Sequence, residues 1–319
     1  MVRPSGPTRA RLILALAAML PLTGCLFRSH RVAREASPSM AQEASQADLI
    51  EKVNRSAQAI QSLNATVDID TDVGGAKKGK VTEYQQIRGY VLVRKPAMLR
   101  MIGLFPLLRN RAFDMASDGQ IFRLSVPVKN KFYVGRNDVV HPSNQPLESL
   151  RPQHILEALL VRPIDPQNEV AVVESTSEAA QDPKTHKSVQ LPDYTLVVVA
   201  RGEHGWYLSR KIVFSRVDLR PYRQIVYDKA GNVATDARYE KYQEYESAMF
   251  PSQIFINRPL EEYAITLTVL KLKLNEPLND DQFELPQPPG AQLVRLDAPP
   301  QQQSAADGTA KNPEKTQPQ

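Results

Sequence analysis

The sequence predicts a mainly β protein: one curved antiparallel sheet of about ten or eleven strands, with two helices on its concave side. Three observations predict it. Short runs rich in Val, Ile, Tyr and Phe recur between tight turns from Ala65 to Leu274. Only two stretches, near 46–63 and 152–161, carry apolar residues at helical spacing instead. The breaks between consecutive runs are short, as antiparallel neighbours require. A sheet that wide tends to curl, and its inside can hold a ligand cavity rather than a filled core.

The chain opens with Arg3, Arg9 and Arg11 and an apolar core from Leu12 to Leu22, broken by Pro21. A charged start, a short apolar core and small residues before a cut are the parts of a secretory signal. The run falls short of the roughly 20 residues that span a bilayer as a helix. The small residues Thr23 and Gly24 precede Cys25, and Leu22-Thr-Gly-Cys25 resembles the lipobox of bacterial lipoproteins. That resemblance implies diacylation of the Cys25 thiol, cleavage after Gly24 and acylation of the new amino terminus. An ordinary signal with an incidental cysteine is the plainer alternative. Cys25 is the only cysteine of the chain, which favours the lipobox. Each buried CH2 contributes ~0.8 kcal/mol, so two or three acyl chains anchor stably. The mature protein is then tethered to a membrane rather than embedded in it.

Loss of residues 1–24 removes three arginines and no acidic residue, so the formal charge falls from +5 to +2. A nucleic-acid partner is therefore not expected, because it needs a concentrated basic face. A single cysteine forms no internal disulfide, and stability must come from an apolar core.

Residues 25–45, with Arg28, Arg31 and Arg34, read as the lipidated cysteine and a flexible tether. A helix starts near Ser45, its N-cap, with Asp48 in the first turn and Leu49, Ile50, Val53, Ala57, Ile60 and Leu63 as its stripe. From Ala65 the period becomes two. Asp68, Asp70 and Asp72 then share one strand face, which reads as solvated rather than as a calcium loop, since the loop's turn glycine is missing. Strand signals follow over Tyr84–Arg94, Met98–Leu104, Arg111–Ala116, Ile121–Val126 and Lys131–Gly135. A second helix runs from Pro152, with Ile155, Leu156, Leu159 and Leu160 as its stripe. Strands resume at Glu169. Hairpins turn at Arg201–Gly205 and Asp228–Asn232, and Ile254–Asn257 and Tyr263–Leu274 complete the series. From Pro286 to Gln319 the chain is rich in Pro, Gln and Ala without apolar pattern, and reads as a disordered tail.

Order and wording then resemble a known group. After the first helix come Gly89-Tyr-Val-Leu-Val-Arg94 and Pro96-Ala-Met-Leu-Arg100, then Ser117-Asp-Gly119, Tyr133-Val-Gly135 and Phe250-Pro-Ser-Gln-Ile254. Over residues 46–285 this ordered set resembles the bacterial LolA/LolB lipoprotein-carrier superfamily, and more closely its uncharacterised lipoprotein branch with a LolB-like domain. The resemblance implies an open half-barrel whose concave face, lidded by helices, holds acyl chains. Met98, Met101, Phe122, Leu124 and Met249 are the candidate lining residues; Met and aromatic side chains suit adaptable lipid packing. It also implies a protruding apolar loop that contacts the membrane. Leu104, Phe105, Leu107 and Leu108, around Pro106 and followed by Arg109 and Arg111, lie where that loop would lie. A strand end folded inward is the alternative for them.

His30, His141, His154, His186 and His204 stand in separate segments, and no hydrolase, zincin or P-loop motif is present. No catalytic residue, metal site or cofactor is expected, and the protein is read as a non-enzyme. The expected function is a membrane-anchored carrier or acceptor of lipid or lipoprotein acyl chains, with a periplasmic carrier protein as a candidate partner. If retention requires Asp after the lipidated cysteine, Leu26 addresses the protein to the outer membrane, facing the periplasm. The alternative is a protein-binding or sensor module of the cell envelope on the same fold.

Overall fold

The structure, a computed structural model, describes residues 34–35, 41–77, 79–107, 110–139, 151–181, 186, 188–245 and 248–297. The signal segment, Cys25, Leu108 and residues 298–319 lie outside the described residues. Helix α1 spans Gln46–Ala59 and α2 spans Pro152–Leu159. The strands are β1 (Arg34–Glu35), β2 (Ser62–Gly75), β3 (Lys80–Arg94), β4 (Met98–Leu104), β5 (Arg111–Ser117), β6 (Ile121–Val126), β7 (Lys131–Arg136), β8 (Glu169–Gln181), β9 (Ser188–Gly202), β10 (Gly205–Ser215), β11 (Pro221–Tyr227), β12 (Val233–Tyr245), β13 (Ala248–Arg258), β14 (Tyr263–Leu274) and β15 (Gln292–Arg295).

These strands form one curved, open 15-stranded sheet, wider than the ten or eleven strands expected. It is two antiparallel meanders joined where the late strand β14 pairs with the early strand β2, Leu267 opposite Ile69 and Val269 opposite Val67. Register shifts at Val269/Lys271 and at Ile69/Thr71 sit beside this joint. An extra residue on one strand increases local twist and bends the sheet, which keeps so wide a sheet from lying flat. The short strands β1 and β15 pair in parallel with β9 and β7.

Alternation decides the two faces. Ala65, Val67 and Ile69 are buried on the inner face, while Asp68 and Asp70 point outward. There Arg88 Nε donates to Asp68 at 3.0 Å and Gln86 Nε2 to Asp70 at 2.9 Å, so cross-strand partners answer the acidic stripe. Both helices cover the inner face. The start of α1 is held by a capping box: the Asp48 amide donates to Ser45 Oγ (3.2 Å) and the Ser45 amide to Asp48 (2.8 Å). The Ser45 hydroxyl, which donates to the Asp48 carboxyl at 2.7 Å, and then the Ser45 amide hold that carboxyl below the usual range. Leu49, Val53 and Ala57 of α1 are buried, and Leu49 and Val53 share one cluster with Leu196, Val198, Ile212 and Phe214 of β9 and β10.

Two sequence expectations are corrected here. The first helix ends at Ala59, and Leu63 belongs to β2. Asn275 ends it: its Nδ2 donates to the Ala59 carbonyl (2.8 Å) and its Oδ1 accepts from the Gln61 amide (2.7 Å), after which Ser62 pairs with Arg94. Leu63 is apolar and buried in either period, so the stripe alone could not place the boundary. The second correction is the tail, which is built into the fold as far as residue 297. On the outer face Arg100 forks onto buried Asp114 (3.0 and 2.9 Å) and also donates to the carbonyls of Gln282 (3.0 Å) and Glu284 (3.2 Å). Leu285 then packs on Ala116 and Phe132, and β15 adds to the sheet beside β7.

Candidate functional site

A cleft of about 370 Å³ opens on the inner face, between the C-terminal half of α1, the end of α2 and strands β12 and β13. Helical spacing builds its first wall. Val53 and Ala57 turn inward, and Lys52 and Ser56, one step round the helix, border the opening. Leu159, Leu160 and Val161 at the end of α2 form the second wall.

The floor comes from β12 and β13. Thr235, Ala237 and Tyr239 follow strict alternation and are buried. At Lys241 the backbone turns left-handed (φ 53°), the alternation breaks, and Tyr239 and Tyr242 both border the cleft. Each hydroxyl is spent on a carbonyl: Tyr239 Oη donates to Ala158 (2.9 Å) and Tyr242 Oη to Pro221 (2.7 Å). Burial raises both phenol pKa values, so the rings stay neutral. The floor therefore presents aromatic and aliphatic surface with its hydroxyls already paired, suited to an apolar guest.

The rim is different. Lys95 Nζ reaches the carbonyl of Ala57 at the end of α1, and burial lowers its pKa. Lys52 and Arg220 share the opening, and among the described residues Asp218 is the sole acid of the lining.

Of the five expected lining residues, Met249 borders this cleft and is 41% exposed. Met98 is half-buried and borders no part of it. Met101, Phe122 and Leu124 require a correction: they are closed into the main core. Ile155, Leu156 and Leu159 of α2 belong to that same core, and the Arg151 guanidinium lies 5.1 Å above the Phe122 ring. The helix is seated on β4 and β5 and closes over these side chains. The reading of the sequence missed Lys52, Ser56, Lys95, Tyr239 and Tyr242. Only the helix residues left a signal, as polar positions flanking the α1 stripe.

A second hollow, of about 510 Å³, lies under the β4–β5 loop. Leu104 is half-buried, Phe105 is 38% exposed and Leu107 is 100% exposed with φ 68°. A branched side chain rarely adopts that backbone conformation, and a fully solvated leucine gains nothing from folding. Arg111, beyond the loop, is held by Asp114 at 2.8 Å.

No protein-family model and no curated protein matches the sequence. Among solved structures, the chain is similar to a LolA superfamily protein from Nitrosomonas europaea, at 16% identity and TM-score 0.47 over 76% of this chain and 99% of that one. A DUF1329 family protein from Desulfovibrio piger is similar at 13% identity and TM-score 0.46, over 74% and 95%. A domain described as an outer membrane lipoprotein-sorting protein, from Vibrio parahaemolyticus, is similar at 10% identity and TM-score 0.41, over 74% and 94%.

Proposed function

We propose that the protein is a non-enzymatic, lipid-anchored carrier or acceptor of lipid or lipoprotein acyl chains in the bacterial cell envelope, at the periplasmic side of the outer membrane. The observation that carries the reading is the apolar cleft between α1, α2 and the β12–β13 floor. An acyl chain leaving water gains ~0.8 kcal/mol per CH2, and a floor whose tyrosine hydroxyls are already hydrogen-bonded offers it an apolar surface. The lipobox at Cys25 supports the anchor. A protein-binding or sensor module is the second reading, favoured by the closed packing around Met101, Phe122 and Leu124.

The cleft is tested with a fluorescent fatty acid and the full-length protein. Ser56 is exposed and borders the opening, so Ser56→Trp fills the mouth without disturbing the core. Binding is expected to weaken at least about tenfold, a loss of ~1.4 kcal/mol, with an unchanged melting temperature. Equal affinity in variant and wild type would move the function to the protein-binding reading.

The loop from Leu104 to Leu107 supports membrane contact as part of the same reading. Leu107→Glu is expected to slow delivery of an acylated cargo into liposomes severalfold. Stability should change by less than about 0.5 kcal/mol, as at other exposed sites. Undiminished delivery, or loss of the fold, would count against a membrane role for the loop.

A further inference from the structure

The cleft carries a charge imbalance that an apolar guest alone does not explain. Its lining includes three cations, Lys52, Lys95 and Arg220, against one acid, Asp218. Arg220 is answered within the site: it lies 3.6 Å from Asp218 and its guanidinium stands 5.6 Å from the Tyr242 ring centroid. Lys52 and Lys95 have no ion-pair partner among the described residues.

Lys95 is the informative one. It lies in the turn just after β3, and its ammonium is carried to the last turn of α1, which has no basic residue of its own. The contact with the Ala57 carbonyl complements the helix dipole there, yet uses one donor of the ammonium's three. Half-buried beside apolar walls, the charge is poorly solvated, and a desolvated cation without a counter-charge is costly. Lys52 projects from the same helix, on the side that borders the opening.

We infer that the cleft is selective for an acyl chain bearing an anionic headgroup, a carboxylate or a phosphate, which Lys52 and Lys95 hold at the rim while the chain lies between α1, α2 and the Tyr239–Tyr242 floor. The inference rests on the acyl-chain reading above and adds the chemistry of the head. The size agrees with one chain. A methylene occupies about as much room as a water molecule, roughly 30 Å³, so the cleft takes on the order of a dozen.

Calorimetric titration of the full-length protein tests it, with dodecanoate, dodecyl phosphate and the net-neutral dodecyldimethylamine oxide, each below its micellar concentration. Both anions are expected to bind at least about tenfold more tightly than the oxide. In the Lys52→Gln/Lys95→Gln variant their affinity should fall to that of the oxide. Glutamine at 95 keeps a donor for the Ala57 carbonyl, and a thermal melt checks that the variant folds. The order of the two anions separates a phosphate head from a carboxylate head, and either order supports the inference. Equal affinity for all three, or a preference for anions that survives in the double variant, overturns the headgroup inference and leaves the acyl-chain reading standing. Absence of binding by all three overturns the acyl-chain reading and the headgroup inference with it.

Discussion

Glu169→Leu is expected to cost the fold about 3–5 kcal/mol, the usual penalty for stranding one member of a buried ion pair. The Glu169 side chain is 3% exposed and the Arg210 side chain 1% exposed, with Arg210 Nη2 on Glu169 Oε2 at 2.9 Å. Arg162 approaches the other carboxylate oxygen at 2.7 Å, and the Asp165 amide donates to Oε2 at 3.1 Å. Two guanidinium groups thus depend on one carboxylate. Burial, reinforced by Arg162, lowers the Arg210 pKa to about 10. With Glu169 gone, Arg210 keeps the Pro163 carbonyl (3.0 Å) but no counter-charge of its own, and its charge stays in the interior. The loss extends to the cleft. The segment after α2 is pinned by the Pro163 carbonyl on one side and by the Ile164 amide, which donates to Asn54 of α1 (2.8 Å), on the other. Loosening it separates the two helices that wall the cleft. Urea denaturation gives the measurement. In Glu169→Leu/Arg210→Met, apolar volume replaces both charges, and most of the lost stability should return. A single variant within about 1 kcal/mol of wild type would show that water reaches this pair and screens it.

Arg210 also shows what alternation can and cannot reveal. Ile212 and Phe214 face inward on β10, and a period of two places Arg210 with them. Its partner Glu169 is 41 residues away in sequence, and no local pattern links them. Most strands and both helix starts were legible for the opposite reason, since capping, period and turn residues are local; β1 and β15, which form only by pairing with β9 and β7, were not. Ser45 with Asp48 marks the start of α1 without reference to anything distant. The end of α1 is set by Asn275, and its extra apolar positions misled. Residues 286–297 read as disordered because Leu293, Val294 and Leu296 make too short an apolar run to signal an element; their order comes from pairing with β7 and from the main core, which takes in Leu296, while Ala291 packs on the Ala116–Phe132 cluster. The cleft drew least from pattern. Its residues come from both helices, the turn after β3 and four strands, and the left-handed backbone at Lys241 is what turns Tyr242 toward it. Methionine and aromatic content marked Met101 and Phe122 as lining candidates, but composition does not distinguish a packed wall from an open one.

Acidification should weaken the fold through His154, with stability lost as the pH falls from about 6.5 toward about 3. His154 lies in the first turn of α2, where the helix dipole already disfavours a cation. Burial is the largest cause of its depressed pKa, followed by Arg258 and Arg151. Neither arginine can move aside easily. Arg258 donates to Thr235 Oγ1 at 2.7 Å and to Glu261 at 2.6 Å, and Arg151 donates to the Val139 carbonyl at 2.8 Å. The folded protein therefore holds His154 neutral, while the unfolded chain takes up a proton below its ordinary pKa. In that window the unfolded state binds more protons, so stability rises with pH, by up to about 1.4 kcal/mol per unit. The contribution is complete above the ordinary histidine value and disappears as the pH falls through the window. Asp193 acts with the opposite sign at the acidic end. Burial raises its pKa, so its protonated form favours the folded state. The raw stability curve mixes the two groups, and His154→Gln separates them. Between pH 6.5 and 4.5 the wild type should lose up to about 2 kcal/mol more than this variant, read from urea midpoints at fixed ionic strength. Parallel curves would mean that the imidazole takes up its proton without opening the start of α2, and that the arginines beside it do not oppose the charge.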